Sequence, residues 1–524
     1  MSKPRKQRQS TGFSNTPKSQ PSREKPAQSS AGHSNKEHQA VALINQGKLQ
    51  EAEAIYRELI SAGTSNHIVY GNLAALCGMQ GRFDELTDLL NKAIEIKPNY
   101  PDAHNNLGIA FKEQGDLPAA IASYNIALQL KPNYPEAHNN LGNAFKEQGD
   151  LTAAIASYNI ALQLKPDHPD AHYNLGNAFK EQGDLTAAIA SYNIALQLKP
   201  NHPEAQWNSS LAMLLVGNYK NGWEKYEWRK KIEKETVIPH ALPKCHECSG
   251  EVAFKQSNQL LLVTEQGLGD TLQFMRYATV LRNEGISVSI AAQTKLHSLI
   301  QASDIDPSPL TPEQANEVTE GQWISLLSVP RHLEVSPGNP IITDPYIKTT
   351  EELTAKWAGI LGAKERPIVA INWQGNPKIE KTGLRGRSLA LEAFAPIAGS
   401  SQISFISLQK GFGSEQLETC SFKDHFVSCQ DQVNETWDFL ETAAIITNCD
   451  LVITSDTSVA HLAGGMGKTT WLLLHKVPEW RWGLEGDTTF WYPSMRLFRQ
   501  TERGNWDEVM ERVAEALQDH FGGN

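Results

Sequence analysis

The sequence has few of the features that mark membrane-spanning, secreted or nucleic-acid-binding proteins. It contains no run of about 18 apolar residues that could span a bilayer, and its N-terminal segment lacks the apolar core of a secretory signal. Six cysteines in 524 residues are too few for a disulfide framework. A net charge of −11 disfavours a nucleic-acid partner, because neutralising phosphates requires a basic surface. We therefore expect a cytoplasmic protein with no transmembrane segment.

The length of the chain predicts two to four domains, since one hydrophobic core does not grow to 524 residues. The N-terminal segment 1–35 is rich in Ser, Gln, Pro and basic residues and has almost no large apolar side chains. Such a segment cannot bury enough surface to offset its ordering entropy, and it is expected to be a disordered basic tail. Its composition fits a solubilising arm or, alternatively, a transit peptide.

Glycine and proline recur along the first half of the chain with a period of 34 residues. The repeated glycines are Gly47, Gly81, Gly115, Gly149, Gly183 and Gly217, and the repeated prolines are Pro98, Pro132, Pro166 and Pro200. A 34-residue period with helix–turn–helix patterning resembles the tetratricopeptide repeat. Residues 36–236 are therefore predicted to form an α-solenoid in which each helix pair buries its apolar face against its neighbours.

The pattern within one repeat agrees with two packed helices. Leu107, Gly108 and Phe111 lie on one face of a first helix, and Gly115 ends it. Pro132 then stops the second helix. Gly108 is small at a point where the two helices must approach closely.

One asparagine position of the repeat has no evident packing role in the sequence. Asparagine is a mediocre helix former, and its amide both donates and accepts hydrogen bonds, so a row of such amides could hold the backbone of an extended peptide. The position resembles the asparagine ladder of O-linked N-acetylglucosamine transferase, which implies a polypeptide acceptor. Duplication of a tolerated residue is the alternative. The members of this row are Asn72, Asn106, Asn140, Asn174 and Asn208.

The second half of the chain alternates apolar β-branched runs with helical stretches, which is typical of parallel α/β sheets. The expected strands are Leu260–Thr264, Ile286–Ala291, Trp323–Leu327, Ile368–Trp373, Ile403–Leu408, Leu451–Thr454 and Trp471–His475. The polar stretch 336–366 divides them into two Rossmann-like lobes, the GT-B arrangement. The predicted domains are a linker at 237–256, an N-terminal lobe on the acceptor side at 257–345 and a C-terminal lobe on the donor side at 346–524.

A glycine-containing turn follows the first expected strand. Gly267 and Gly269 permit the tight turn, and Asp270 is placed at the start of the next helix. Asp270 could cap that helix, which is worth about 1 kcal/mol in many proteins. A carboxylate in that place could also deprotonate an acceptor hydroxyl at the mouth of a cleft.

A second strand-to-helix turn contains Asp456, Thr457, Ser458 and His461. Either of the first two residues is expected to start the helix, whose backbone N–H groups then form a site for an anion. His461 lies one turn further along and could donate a hydrogen bond to a diphosphate.

These two turns, EQGLGDTLQF and DTSVAHLAGGMGK, resemble motifs of the lipopolysaccharide heptosyltransferase-related glycosyltransferases that carry N-terminal tetratricopeptide repeats. The resemblance covers residues 257–505. It implies that Asp270 is the catalytic base and that Asp456, Thr457 and His461 bind the donor diphosphate. It leaves the transferred sugar and the nucleotide open.

Other positions match the family less closely. Arg387 and Lys378, in a cation-rich segment after a strand, are predicted phosphate partners, with solvated loop charges as the alternative. Gln409, Lys410 and Gly411 also follow a strand and are predicted to border the base pocket or cleft.

The resemblance implies an inverting glycosyltransferase that uses a nucleotide-sugar donor and needs neither a metal nor a cofactor. A non-catalytic scaffold for protein–protein interaction with a degenerate transferase domain is the alternative. The glycine-rich run before Lys468 lacks the first glycine of a phosphate-binding loop, so it does not predict an ATPase. Cys245 and Cys248 have the spacing of half a zinc site, but no matching second pair follows them.

Overall fold

The computed structural model describes residues 30–232, 239–250, 254–342, 344–362, 367–380, 386–400 and 403–522. The chain divides into a first unit that ends at Asn201 and a second that begins at His202. Within the described ranges, no helix combines the length and the apolar character needed to cross a membrane. The expected disordered tail lies outside these ranges up to residue 29. The first helix begins at Ser30, so the last residues assigned to that tail are helical.

The described part of the first unit consists of helices joined in pairs, which confirms the predicted repeat solenoid. Its helices are α1 Ser30–Asn45, α2 Leu49–Ser61, α3 His67–Met79, α4 Phe83–Ile96, α5 Pro101–Gln114, α6 Leu117–Leu130, α7 Pro135–Gln148, α8 Leu151–Leu164, α9 Pro169–Gln182 and α10 Leu185–Leu198. Gly115, Gly149 and Gly183 end three of the first helices with φ of 87°, 95° and 98°. That left-handed backbone is the one in which glycine is favoured.

Close contact between the two helices of a repeat requires glycine on the first helix. A β-carbon added at Gly108 would lie 2.5 Å from the Tyr124 ring, and one added at Gly142 would lie 2.6 Å from the Tyr158 ring. Both tyrosines are fully buried. The predicted role of Gly108 is therefore confirmed.

The buried tyrosine at this repeat position is hydrogen-bonded in one repeat and unpaired in the repeat before it. The Tyr158 hydroxyl donates to Asn143 Oδ1 at 2.7 Å. In the preceding repeat the residue equivalent to Asn143 is Ile109, and the buried Tyr124 hydroxyl has no partner among the described residues. One repeat thus carries an unpaired polar atom that the next repeat satisfies.

The second unit begins with a helix pair and continues with a four-stranded parallel sheet. Its first helices and strands are α11 Pro203–Leu215, α12 Tyr219–Tyr226, β1 His246–Glu247, β2 Gln259–Val263, α13 Leu268–Phe274, α14 Tyr277–Asn283, β3 Ser287–Ala291, α15 His297–Ala302, α16 Pro312–Asn316, β4 Gln322–Ser325 and α17 Val329–His332. The strand order is β1-β4-β2-β3. Strand β1 lies between the two buried cysteines Cys245 and Cys248, in the segment that the sequence assigned to a linker.

The rest of the second unit is built on a five-stranded parallel sheet. Its helices and strands are α18 Glu351–Leu361, β5 Ile368–Asn372, α19 Pro377–Glu380, α20 Ala395–Ser400, β6 Ser404–Ser407, α21 Gln430–Glu435, α22 Phe439–Thr447, β7 Leu451–Ser455, α23 Ser458–Gly465, β8 Thr470–Leu474, β9 Met495–Arg499 and α24 Asp507–Phe521. The strand order is β6-β5-β7-β8-β9. The seven expected strands are present in these two sheets. The sequence did not predict β1, β9, or α18 within the polar divider.

Helices α11 and α12 continue the repeat period but pack within the second unit. The Trp223 indole N–H on α12 donates to the Val335 carbonyl at 2.8 Å. The Trp223 ring lies edge-on to Trp480, with 5.2 Å between centroids. The sequence placed these helices in the solenoid, whereas their contacts assign them to the α/β unit.

Candidate functional site

The two motifs singled out in the sequence meet where α13 packs against α23. A β-carbon added at Gly269 on α13 would lie 2.8 Å from His461 Cδ2 and 3.6 Å from Ser458 Cα. Only a glycine allows the helices to approach this closely. The turn after β2 and the turn after β7 therefore lie side by side, at the carboxyl ends of strands from the two sheets.

Asp270 is the third residue of α13, and Gly267 is the residue that caps the helix. The Asp270 Oδ2 atom accepts the Gly267 N–H at 2.8 Å, and Oδ1 accepts a hydrogen bond from Arg481, which follows β8 of the larger sheet. The Asp270 side chain is 16% exposed. The predicted carboxylate thus lies where the regions of the two sheets meet, held in place by a backbone amide and an arginine.

Arg481 uses all three of its guanidinium nitrogens, and two of them connect the regions of the two sheets. Besides Asp270, it donates to Gln273 Oε1 and pairs with Glu479 Oε1 at 2.7 Å. Burial raises the pKa of Glu479 to about 7, although the charge of Arg481 opposes this shift; the neighbouring Asp456 adds to it. The sequence did not identify Arg481 or Glu479 as site residues. The Arg481 partners Asp270 and Gln273 lie about 210 positions away in the chain, so no local pattern links them to it.

The second turn begins α23 as expected, with Thr457 as the N-cap residue. The Thr457 hydroxyl donates to Asn372 Oδ1 at 2.9 Å. Asp456 is buried, and burial raises the pKa of its carboxyl group against the opposing charge of Arg387. Ser458, the first residue of the helix, is partly exposed.

His461 is enclosed by protein side chains, and its predicted hydrogen bond to a donor diphosphate stays a prediction. Its Nδ1 is 2.9 Å from the Tyr492 hydroxyl, and its ring stacks on Trp482 with 5.4 Å between centroids. Only 6% of the residue is exposed, and burial lowers the pKa of its imidazole well below the usual value. Its Nε2 lies against α13, 3.5 Å from where a β-carbon on Gly269 would be. His461 therefore packs the two helices together as a neutral ring.

The two predicted phosphate partners differ in position. Arg387 reaches the second turn, where its Nη1 donates to the Asp456 carbonyl at 3.1 Å and its Nε is 3.3 Å from Glu380 Oε1. Lys378 is exposed on α19. Of the two, Arg387 is the cation that the fold brings to the motif.

The three residues predicted to border the base pocket form a tightly bonded loop after β6. Gln409 Oε1 accepts from Asn372 Nδ2 at 3.0 Å and from two backbone N–H groups, so its amide organises the neighbouring loop after β5. Lys410 donates to the Val433 carbonyl, and burial lowers its pKa to about 8. Gly411 has a φ of 68°. A role of these residues in binding a base stays a prediction.

Four neighbouring strands of the larger sheet end at buried polar atoms that have no hydrogen-bond partner among the described residues. These atoms are Trp373 Nε1 after β5, Ser455 Oγ at the end of β7, His475 Nδ1 after β8 and Gln500 Nε2 after β9. Buried polar atoms in native proteins are nearly always paired, so four unpaired atoms gathered at one edge point to a partner outside the protein's own side chains. Their shared position at the carboxyl edge marks this edge as the candidate ligand site.

The His475 ring at this edge is neutral. Burial together with the charges of Arg503 and Arg387 lowers the pKa of its imidazole to about 4. His475 is the last residue of an expected strand, and the sequence pattern assigns it no role. Its place directly after a parallel strand is the signal that could have identified it.

The asparagine row has a packing role that the sequence did not reveal. Asn140 Nδ2 donates to Asn105 Oδ1 of the preceding repeat at 3.0 Å, and Asn174 Nδ2 donates to Asn139 Oδ1 at the same distance. Because Asn105 and Asn139 share one repeat position, this bond recurs from repeat to repeat.

The members of the row differ in exposure and surroundings. Asn106 and Asn140 are only 5% exposed, whereas Asn174 is partly exposed. Asn72 donates to the Tyr56 hydroxyl at 3.1 Å. Asn208 is partly exposed and belongs to the second unit. Peptide binding by this row stays a prediction.

Comparison with known proteins identifies the repeats. A family model described as TPR repeat matches residues 79–115, 110–149 and 142–183, and the tetratricopeptide repeat model matches residues 169–202. The chain is 26% identical over 329 residues to protein FlbA of Caulobacter vibrioides, an alignment that covers 59% of this chain and 54% of FlbA. The chain thus spans about half the length of this relative.

Solved structures of repeat proteins are also similar to part of the chain. TTC0263, a thermophilic TPR protein of Thermus thermophilus, is 22% identical, and the match covers 35% of this chain and all of TTC0263 with a TM-score of 0.31. YrrB, described as a TPR protein with an unusual peptide-binding site, is 22% identical. That match covers 32% of this chain and 86% of YrrB with a TM-score of 0.28.

Proposed function

We propose that the chain is a glycosyltransferase that moves a sugar from a nucleoside-diphosphate sugar to a hydroxyl group of an acceptor recruited by the repeats. The observation that carries the proposal is the row of unpaired polar atoms at Trp373, Ser455, His475 and Gln500. In open parallel α/β sheets, ligands bind outside the carboxyl ends of the strands. The two sheets would then be the lobes of a GT-B transferase.

The chemistry of these atoms favours a phosphorylated ligand. The indole and amide nitrogens of Trp373 and Gln500 can only donate hydrogen bonds, and the Ser455 hydroxyl can also donate. A ligand that satisfies them must be rich in acceptors, as a diphosphate is. Arg387 adds positive charge beside the same strand ends, since its Nη1 donates to the carbonyl of Asp456, which directly follows β7.

The N-terminus of α23 supports the same ligand class. The first N–H groups of a helix have no partners within the helix, and the helix dipole favours negative charge there. Thr457 and Ser458 place this end of α23 at the carboxyl end of β7. Backbone amides and Arg387 would thus stabilise the departing diphosphate by hydrogen bonds and charge, without a divalent ion.

Asp270 is the proposed base. A carboxylate has about four acceptor positions, and Asp270 uses one on each oxygen for Gly267 and Arg481. A remaining lone pair can accept the proton of the acceptor hydroxyl while the acceptor oxygen attacks the anomeric carbon. The bond from that carbon to the diphosphate oxygen breaks, and the nucleoside diphosphate leaves with the electron pair. The anomeric configuration inverts.

A panel of nucleotide sugars tests the proposed activity. The full chain is expected to transfer or hydrolyse at least one donor, and Asp270→Asn to lose that activity while the matching nucleoside diphosphate still raises its melting temperature. Asp304→Asn is the control, because Asp304 is an exposed carboxylate of the same lobe that pairs with Lys348. Unchanged turnover in Asp270→Asn would remove Asp270 from its role.

We propose a polypeptide as the acceptor, since tetratricopeptide repeats are a scaffold for peptide partners. Asn174 is the partly exposed member of the row in the first unit whose amide bonds to an asparagine of the preceding repeat. Asn174→Ala is expected to raise KM for polypeptide acceptors and to leave small acceptors unaffected, whereas Gln182→Ala, at the exposed end of the same helix, should change neither. Equal loss on both acceptor classes would contradict recruitment by this row.

A non-catalytic scaffold is the second candidate, and one observation favours it. His461 is enclosed and Asp270 is ion-paired, so two of the expected site residues already have partners within the protein. Melting experiments separate the candidates. A nucleoside diphosphate at 100 times its dissociation constant adds about 2.7 kcal/mol of stability. No shift with UDP, GDP or ADP would favour the scaffold.

A further inference from the structure

Three consecutive second helices of the solenoid carry the same pair of exposed aliphatic side chains. The pair lies four residues apart on α6, α8 and α10, so both side chains project from one face of each helix. Each is between 37% and 43% exposed. We call these six side chains the aliphatic stripe: Ile126, Leu130, Ile160, Leu164, Ile194 and Leu198.

The surface around the aliphatic stripe is free of charge along each helix. The other exposed positions within these three helices are occupied by uncharged residues: Pro118, Ala122, Asn125 and Gln129 on α6, Thr152, Ala156, Asn159 and Gln163 on α8, and Thr186, Ala190, Asn193 and Gln197 on α10.

The helix that precedes them shows that the repeat fold does not require such a surface. Four of the equivalent positions on α4 carry Asp84, Asp88, Lys92 and Glu95, all exposed or partly exposed. This helix face therefore accommodates charges on α4, whereas α6, α8 and α10 carry none there, and an uncharged surface with exposed aliphatic side chains is of the kind that binds a partner.

Charges return at the ends of the three helices and have opposite signs there. An exposed aspartate precedes each helix and an exposed lysine follows it: Asp116, Asp150 and Asp184, and Lys131, Lys165 and Lys199. Any surface that lies antiparallel on the aliphatic stripe and carries the same pattern would place its lysines opposite these aspartates. The surface is therefore complementary to a copy of itself.

We propose that the aliphatic stripe is the interface of a homodimer with a two-fold axis at α8. The axis would place α8 against the partner's α8 and α6 against the partner's α10, so that Ile160 lies close to the axis, beside the same residue of the second copy. The stripe exposes roughly 500 Å² of apolar surface, near the upper limit for monomeric proteins. With its polar rim it approaches the about 800 Å² per partner of a standard interface.

A second copy fits this surface better than the N-terminal segment of the same chain. Residues 1–29 are basic and polar and have almost no large apolar side chains to cover the isoleucines. The proposal is also independent of the catalytic one, because the stripe lies entirely in the first unit.

Sedimentation equilibrium of the full chain tests the dimer. The wild type is expected to dimerise with a dissociation constant on the order of micromolar. Ile160→Glu combined with Ile194→Glu should raise that constant at least 100-fold, because four carboxylates would face the apolar interface. Gln148→Glu combined with Gln182→Glu adds the same charge at exposed ends of α7 and α9 and should leave it unchanged. A wild-type monomer at about 100 times the expected dissociation constant, or equal weakening by both pairs, would overturn the proposal.

Mixing two variants tests the two-fold axis directly. Chains with Ile160→Glu and chains with Ile160→Lys should each be monomeric, because like charges meet at the axis. A one-to-one mixture should restore a heterodimer. If the mixture stays monomeric while the wild type is dimeric, residue 160 does not face its own copy and the proposed axis is wrong.

Discussion

The unpaired serine hydroxyl at the end of β7 allows a sharp test of the ligand site. Ser455 and Ser209 are both fully buried in the second unit, and neither Oγ has a partner among the described residues. Ser455 lies at the carboxyl edge of the larger sheet, whereas Ser209 lies within α11. A buried hydroxyl without a partner destabilises the folded protein by about 1–3 kcal/mol. Alanine at either position removes that hydroxyl and changes the side-chain volume little. We expect both variants to be at least as stable as the wild type without ligand.

The stabilisation added by the ligand should differ between the two variants. At 100 times its dissociation constant a nucleoside diphosphate adds about 2.7 kcal/mol to the free energy of unfolding. Loss of a hydrogen bond to a charged group, worth about 1.5–3 kcal/mol, weakens binding about 10- to 100-fold. At the same ligand concentration the added stability of Ser455→Ala should then fall to about 0.4–1.4 kcal/mol. Ser209→Ala should keep all of it.

Tryptophan fluorescence during urea unfolding is a suitable assay for this comparison. All 12 tryptophans lie after residue 201, so the signal reports the second unit alone. The nucleotide used is whichever of UDP, GDP and ADP most stabilises the wild type. Retention of the full ligand effect in Ser455→Ala, or the same loss in Ser209→Ala, would refute the assignment of this edge as the ligand site.

Three further predictions concern packing and titration. Tyr158→Phe breaks a buried hydrogen bond and should lower the free energy of unfolding of the first unit by about 1 kcal/mol, as measured by hydrogen exchange. Tyr124→Phe removes an unpaired hydroxyl and should cost nothing; equal losses would contradict this. Glu479 has a folded pKa of about 7 against an ordinary 4.5, so the folded state binds the extra proton and stability falls as pH rises between these values. The free energy of unfolding of Glu479→Gln, measured in urea, should therefore rise by up to about 3 kcal/mol relative to that of the wild type as the pH rises through this window. A fall in this difference would exclude a raised pKa. Gly269→Ala should destabilise the second unit by about 1–3 kcal/mol by forcing a methyl group into the His461 ring; an unchanged urea midpoint would show that the helices can separate freely.

The carboxylate pairing illustrates what sequence reasoning missed at the site. The sequence identifies Asp270 because the glycine turn after a strand places this carboxylate at the start of the next helix, at the carboxyl end of the strand. Arg481, which holds it, follows a strand of the other sheet and carries no local signal. His461 is predicted from its place one turn into a helix to bond a diphosphate, and the contacts that enclose it, with Tyr492 and Trp482, come from distant residues that the local sequence does not indicate.

The sequence alone determined the helix pairs of the solenoid and seven of the strands, because helix and strand periods are local properties of the chain. It also placed both motif turns at the carboxyl ends of parallel strands. Only the tertiary structure decided that α11 and α12 pack in the α/β unit, that the asparagine amides bond from repeat to repeat, and that four strand ends carry unpaired polar atoms. Each of these results depends on contacts between residues distant in sequence, and no local pattern encodes which distant surface a buried group will meet.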